Sequence, residues 1–198
     1  MNYRKQERFI HADFNASFDP KIEKVKKWLE EWETQKNNLL VCGSSGVGKT
    51  WIIMAFLNWL AEQAQLNESK FGNFYTSKDF DNIEYTTAKE FFDTIKLKFS
   101  AKSDTRENSE NMIWKWERVK LLIIDEMGVQ YDTKSEMIEL TDIMDNRWRN
   151  CLPTIFITNL SMKGLGELLG ERARQRIFDG AGYIEFDSKT QRNKPKEL

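Results

Sequence analysis

An α/β domain with a parallel sheet covered by helices on both faces is the fold this chain predicts, and three observations carry it. The apolar runs Leu39-Leu40-Val41-Cys42, Leu121-Leu122-Ile123-Ile124 and Thr154-Ile155-Phe156-Ile157-Thr158 read as strands buried on both sides. Stretches with apolar residues at helical spacing separate them, giving a βαβ order with right-handed crossovers. A glycine-rich turn, Gly43-Ser44-Ser45-Gly46-Val47-Gly48-Lys49-Thr50, joins the first run to a helical stretch. In such a sheet the ligand lies beyond the carboxyl ends of the strands.

The elements follow in order. Asp19 is a helix cap ahead of Pro20 at the first helical position, and Ile22, Val25, Leu29 and Trp32 predict a helix over 20–34. After Asn37-Asn38 comes the first strand, then a helix from Lys49 to about Gln63 with Ile52, Ile53, Phe56, Trp59 and Leu60 on its buried side. The polar segment from Leu66 to Asn82 reads as an irregular insertion. Ile83–Thr87 predicts a strand, and Thr87 caps a helix whose apolar side is Phe91, Phe92, Ile95 and Phe99. Ala101 to Glu110 reads as a polar loop, with a short helix near Met112–Glu117 before the strand Leu121–Ile124. Residues 134–149 predict a helix with Met137, Ile138, Ile143, Met144 and Trp148 turned mostly inward. After the strand Thr154–Thr158, two short helices, about 162–169 and 171–178, precede a last strand, Tyr183–Phe186, and a polar tail.

Composition narrows the function. The 198 residues fit one domain with a sizeable core, and a net charge of −1 excludes a global field drawing in nucleic acid, so any such contact needs a local patch. Cys42 and Cys151 read as buried free thiols of a reducing compartment. His11, the one histidine, is an ordinary polar position, so a Cys/His zinc site lacks ligands. No segment approaches membrane-spanning length and the N-terminus has no apolar signal core, which predicts a soluble, cytoplasmic protein without a membrane partner. Trp28, Trp32, Trp51 and Trp59 sit at helical spacing and read as core.

The chemistry begins at the glycine-rich turn. Gly43, Ser44, Ser45, Gly46, Val47 and Gly48 allow successive backbone N–H groups to face phosphate oxygens, and the helix that follows adds the positive end of its dipole. Lys49 reaches the β- and γ-phosphates, and the Thr50 hydroxyl sits on Mg²⁺. Asp125-Glu126 ends a buried strand, where two carboxylates are costly unless they face a metal or a reacting group. Asp125 holds Mg²⁺ through its water shell and Glu126 orients and deprotonates the attacking water. No Asn-Lys-x-Asp-like guanine reader stands near a strand end, which favours ATP over GTP. Asn159, at the tip of the strand Thr154–Thr158, can touch both the γ-phosphate and that water, or can cap the next helix. Arg172, Arg174 and Arg176 cannot share one helical face; Arg172 and Arg176, four apart, point together. They fit either a solvated basic helix or an arginine aimed at a neighbour's γ-phosphate.

The string Ile124-Asp125-Glu126-Met127-Gly128-Val129-Gln130, then Thr158-Asn159, then Leu168-Leu169-Gly170-Glu171-Arg172 with Arg176, resembles the AAA+ core of bacterial helicase loaders of the DnaC/DnaI type. Transposition helpers of the IstB type are close relatives. The likeness runs from about Arg8-Phe9 to Arg192. It divides the chain into a short extension over 1–8, an AAA+ ATPase domain over 9–192 and a polar tail over 193–198. The resemblance implies a P-loop NTPase fold, a three-layer αβα sandwich with a parallel sheet, that uses ATP and Mg²⁺. It makes Lys49 and Thr50 nucleotide ligands, Asp125 and Glu126 the second motif and Asn159 the first sensor. It places a trans-acting finger at Arg176 with Arg172 beside it.

The resemblance also implies self-assembly into a spiral or ring around single-stranded DNA. Lys96, Lys98 and Phe99 then fall on the channel-facing helix, and Thr133 and Ser135 on the loop after the second motif. Phe99 fits a core position equally well. The implied function is an ATP-dependent replication protein that assembles on single-stranded DNA and acts on a replicative helicase. One alternative is a transposase helper that binds duplex DNA and a transposase. Another is a core-only mimic that co-assembles with a host helicase loader and blocks it. The loaders carry an N-terminal domain that grips the helicase, and about eight residues precede the likeness here, which favours the helper or the mimic. The full catalytic set favours an active ATPase. The loaders' second sensor arginine falls at Thr190, with Arg192 nearby.

Overall fold

The computed structural model describes residues 9, 11–16, 19–70, 82–99, 102–128 and 134–186. Among these residues five parallel strands form one sheet: β1 (Leu39–Gly43), β2 (Ile83–Thr87), β3 (Leu121–Met127), β4 (Thr154–Thr158) and β5 (Gly182–Phe186), in spatial order β2-β3-β4-β1-β5. Among the described residues, six α-helices cover it: α1 (Pro20–Glu30), α2 (Lys49–Lys70), α3 (Ala88–Leu97), α4 (Ser103–Trp116), α5 (Lys134–Arg149) and α6 (Met162–Phe178).

Alternation along the strands sorts the core into two layers. Leu39, Val41, Leu121, Ile123, Ile155 and Ile157 face α1 and α2, where Ile22, Val25, Leu29, Ile52, Ile53 and Phe56 meet them. Leu40, Cys42, Leu122, Ile124 and Phe156 face the opposite layer, built from residues such as Phe91, Trp116, Leu140, Leu165 and Ile177. Both faces are therefore apolar, which is why the strands read as continuous hydrophobic runs. The predicted three-layer α/β sandwich is the fold observed.

The caps behave as their sequences predict. Asp19 accepts the Lys21 N–H at 2.7 Å ahead of Pro20. Thr87 and Glu90 form a reciprocal capping box at the start of α3. Trp32 is buried and Trp28, Trp51 and Trp59 pack on the first core layer. The two short helices expected at about 162–169 and 171–178 are the two halves of α6, parted at Gly170, whose non-helical φ of 70° only glycine adopts readily.

Other expectations need correction. The helix expected over 20–34 stops at Glu30, and a 3₁₀ turn, Trp32–Thr34, follows it. The helix after the glycine-rich turn continues to Lys70, so Leu66–Lys70 belongs to it; residues 71–81 lie outside the described residues. Within the expected 101–110 loop, Ser103–Glu110 is helical, as the first part of α4. That helix keeps only Ser109, Ile113 and Trp116 buried, a stripe too narrow to dominate a polar sequence. Phe99 lies beyond the end of α3 and is 63% exposed, so the core reading of it falls. Ile138 and Trp148 also face outward from α5, whose core contacts are Leu140, Ile143 and Met144. Cys42 is buried, and burial pushes its thiol up to about 12. Cys151 is instead exposed: it stands in the turn after α5 with φ 52°, where the Leu152 N–H returns to the Arg147 carbonyl at 3.0 Å.

Arg147 is the least expected core residue. Its side chain is fully buried on α5 and donates to the Thr154 hydroxyl and to the carbonyls of Trp116, Val119 and Pro153, at 2.6–2.9 Å. One guanidinium thus ties the ends of α4 and α5 to the start of β4. Burial pulls its pKa down to about 9, which still leaves it cationic at neutral pH. Arg147→Met fills much of the volume but removes four hydrogen bonds; the Pro153 carbonyl keeps the Leu122 N–H, while the Trp116 and Val119 carbonyls and the Thr154 hydroxyl lose this donor. The expected cost is about 3–5 kcal/mol, read as a lower denaturant midpoint at unchanged m-value.

Candidate nucleotide-binding site

Three parallel strands deliver the site at their carboxyl ends. β1 runs into the glycine-rich turn, β3 carries Asp125 and Glu126, and β4 leads to Asn159. Because β4 lies between β1 and β3, all three meet at one edge of the sheet. Gly43 is forced at the start of the turn: its φ is 138°, and a Cβ there would run into the Phe186 carbonyl on β5.

Lys49 is 6% exposed. Its ammonium donates to the carbonyls of Gly43 and Ser44, at 2.6 and 2.8 Å, and to Asn159 Oδ1 at 2.9 Å. The lysine and the strand-tip amide, 110 residues apart in sequence, therefore share one contact. Asn159 itself is exposed, and Ser161 caps α6 by accepting the Gly164 N–H. The alternative reading of Asn159 as that cap falls.

Thr50 Oγ1 donates to Asp125 Oδ2 at 2.8 Å, and the Tyr85 hydroxyl donates to the same oxygen at 3.1 Å. Asp125 Oδ1 accepts the Glu126 N–H at 2.6 Å. Asp125 is 2% exposed, and burial raises its pKa although these hydrogen bonds pull the other way. Burial likewise raises the Tyr85 pKa, with the adjacent Asp125 charge adding to it.

Glu126 differs from its neighbour through a β-bulge. The β3–β4 register runs Ile124 opposite Phe156 and then Met127 opposite Thr158, so β3 holds one extra residue at Asp125-Glu126. Glu126 takes a φ of 59°, uncommon for a residue with a side chain, and its carboxylate is exposed while Asp125 stays buried. The bulge separates a buried carboxylate from an exposed one. Sequence reasoning found both carboxylates and missed this strain.

The donor set fits Mg²⁺. A hydroxyl and a carboxylate, both hard oxygen donors, sit together beside the glycine-rich turn, and Mg²⁺ takes few protein ligands of this kind with phosphates and water completing its shell. Among the described residues, no group of three or more His, Cys, Asp or Glu side chains could hold a metal by itself.

The profile of the IstB-like ATP binding protein family matches residues 2–179. The chain belongs to that family. Its relatives include the replicative helicase loader DnaC of Buchnera aphidicola from Acyrthosiphon pisum, 28% identical over 87% of this chain and 64% of that protein. DnaC of Escherichia coli K12 is 29% identical over 79% of this chain and 56% of its own length. The chain thus spans 56–64% of these two relatives. Among solved structures, DnaI superposes with a TM-score of 0.66 at 22% identity, covering 91% of this chain and 93% of that one. The fold is that of an AAA+ P-loop protein, and the family is an ATP-binding one.

Arg172 and Arg176 find their partners on α5. Arg176 is half-buried, pairs with Asp145 and stacks over the Trp148 ring at 4.5 Å. Asp145 also pairs with Arg149, and Trp148 donates its indole N–H to Asp179. Arg172 approaches Asp142 at 4.0 Å, so Arg172 and Arg176 do turn together toward α5, while Arg174 pairs with Glu171.

Arg176 also stands at the wrong end of the sheet for its own site. Asn38, just before β1, donates to the carbonyls of Arg176 and Ile177 at 3.3 and 3.0 Å. The glycine-rich turn leaves the other end of β1, about 16 Å away at ~3.3 Å per residue.

Lys98 binds both oxygens of Glu139 at 2.7 and 2.8 Å, and Lys96 faces Glu136 at 3.5 Å. Phe99 and Ser135 are exposed, and Thr133 lies outside the described residues. Among the described residues, no helix is long and apolar enough to cross a membrane.

Proposed function

We propose that this protein hydrolyses ATP with Mg²⁺, assembles on single-stranded DNA and acts on a replicative helicase. The observation that carries the ATPase reading is the pair of contacts Lys49–Asn159 and Thr50–Asp125, which draws three separated sequence elements into one cleft. Bound ATP would take over the Lys49 contacts now made to the Gly43 and Ser44 carbonyls. Mg²⁺ would be held by Thr50 and by Asp125 through water, and would neutralise charge on the phosphates. Glu126, turned outward by the bulge, orients and deprotonates water. Asn159 fixes that water against the γ-phosphate.

The position of Arg176 at the far end of β1 supports action in trans. A neighbouring copy would complete the site with it, in a spiral or ring. The helicase reading rests on the family relationship to DnaC loaders. The match to the IstB-like profile favours a second reading, a transposase helper on duplex DNA. Parallel binding to single-stranded and duplex oligonucleotides with ATP separates the two.

Lys96, Lys98 and Phe99 are the proposed strand contacts, two cations beside a stacking face. The partners Glu136 and Glu139 make phosphate compete for each lysine, so binding should weaken steeply with salt. Lys96→Glu with Lys98→Glu is expected to weaken single-strand binding. It should also flatten the log–log salt slope by about 1.4, roughly 0.7 for each phosphate that is no longer neutralised. An unchanged affinity and slope would remove these lysines from the DNA path.

A further inference from the structure

Tyr85 belongs to none of the motifs that define the cleft, yet its hydroxyl is bonded to the carboxylate at the cleft's centre. Tyr85 stands opposite Ile123, and Thr87 stands opposite Asp125. Tyr85 and Asp125 are therefore diagonal neighbours on one face of the sheet, within reach of an aromatic side chain. The hydroxyl reaches Asp125 Oδ2 at 3.1 Å, the same oxygen that accepts from Thr50 at 2.8 Å.

We infer that Tyr85 is a positioning residue for Mg²⁺–nucleotide binding: with Thr50 and the Glu126 amide it clamps the Asp125 carboxylate so that one acceptor position stays turned toward the metal's water shell. An ionised carboxylate has about four acceptor positions. The Glu126 N–H takes one on Oδ1, and Thr50 and Tyr85 take two on Oδ2. Both oxygens are thereby fixed, and rotation about the carboxylate bond would break three hydrogen bonds. Without the tyrosine hydroxyl, Oδ2 keeps only Thr50, whose own oxygen must also serve the metal. The carboxylate must then be ordered at the moment the metal arrives. This inference rests on the proposed Mg²⁺–ATP reading of the cleft.

Tyr85→Phe removes one oxygen and keeps the ring. The test measures equilibrium ATP affinity of the full chain and of Tyr85→Phe, each with Mg²⁺ and in excess chelator. Phosphate contacts from Lys49 and the loop backbone persist without metal, so chelated ATP reports on the integrity of the loop. The expected result is equal affinity in chelator and about tenfold weaker affinity with Mg²⁺ for Tyr85→Phe, the size of one hydrogen bond to a charged group. An equal Mg²⁺ gain in both proteins overturns the role of Tyr85. A parallel fall in both conditions also overturns it, because the hydroxyl would then support only the fold. If the unsubstituted chain itself binds ATP equally with and without Mg²⁺, the metal reading of the cleft fails first, and the role of Tyr85 with it.

Discussion

Glu126→Gln is expected to bind ATP as tightly as the unsubstituted chain and to lose turnover by ~10²–10⁴-fold, the range that a general base supplies. The amide keeps the shape and the exposed position created by the bulge but cannot accept a proton from water. Lys49→Ala should behave in the opposite way. The Lys49 ammonium, held among loop carbonyls and Asn159, is expected to contribute charge to ground-state phosphates, so binding itself should disappear. Affinity for a fluorescent ATP analogue and steady-state phosphate release separate the two effects. Hydrolysis by Glu126→Gln at the unsubstituted rate would mean that another group activates water.

Arg176→Ala is expected to leave ATP affinity nearly unchanged and to lower hydrolysis by ~10³-fold or more, the effect of an arginine that stabilises phosphoryl-transfer charge from a neighbour. The reason is positional. Arg176 is fastened through its carbonyl to Asn38, just before β1, while the glycine-rich turn leaves the other end of that strand. Its guanidinium is now engaged by Asp145 and the Trp148 ring, so truncation also removes a cis interaction. A thermal melt distinguishes a loss of fold from a loss of catalysis. Arg176→Lys, which keeps the charge and loses the planar fork, should recover little activity.

Most of the fold was legible because both faces of the sheet are covered. Runs such as Leu121–Ile124 are apolar without interruption, and helical spacing in Ile22-Val25-Leu29 marks the layers. That Lys49, Thr50, Asp125 and Asn159 come together was legible too, because the glycine-rich turn and the carboxylate pair stand out by residue type and spacing whatever surrounds them. What escaped depended on tertiary context. α4 is a polar helix held by three buried positions, and its composition alone looks like a loop. Arg147 satisfies a buried charge with the carbonyls of Trp116, Val119 and Pro153, which no local pattern announces. The Tyr85 contact follows from the β2–β3 register, and the strain at Glu126 from the β3–β4 register; neither register exists before the strands pair. The outward turn of Phe99 follows from where α3 stops.

Completion of one subunit's site by another subunit's arginine is tested most directly by mixing Arg176→Ala with Lys49→Ala, each inactive alone, under ATP, Mg²⁺ and single-stranded DNA. In a mixed assembly the intact loop of the first meets the intact arginine of the second, so phosphate release should reappear on mixing and rise with total protein concentration. No recovery at any ratio or concentration, with the unsubstituted chain sedimenting as a monomer and hydrolysing ATP at a concentration-independent specific rate, would contradict the shared site and leave a monomeric NTPase.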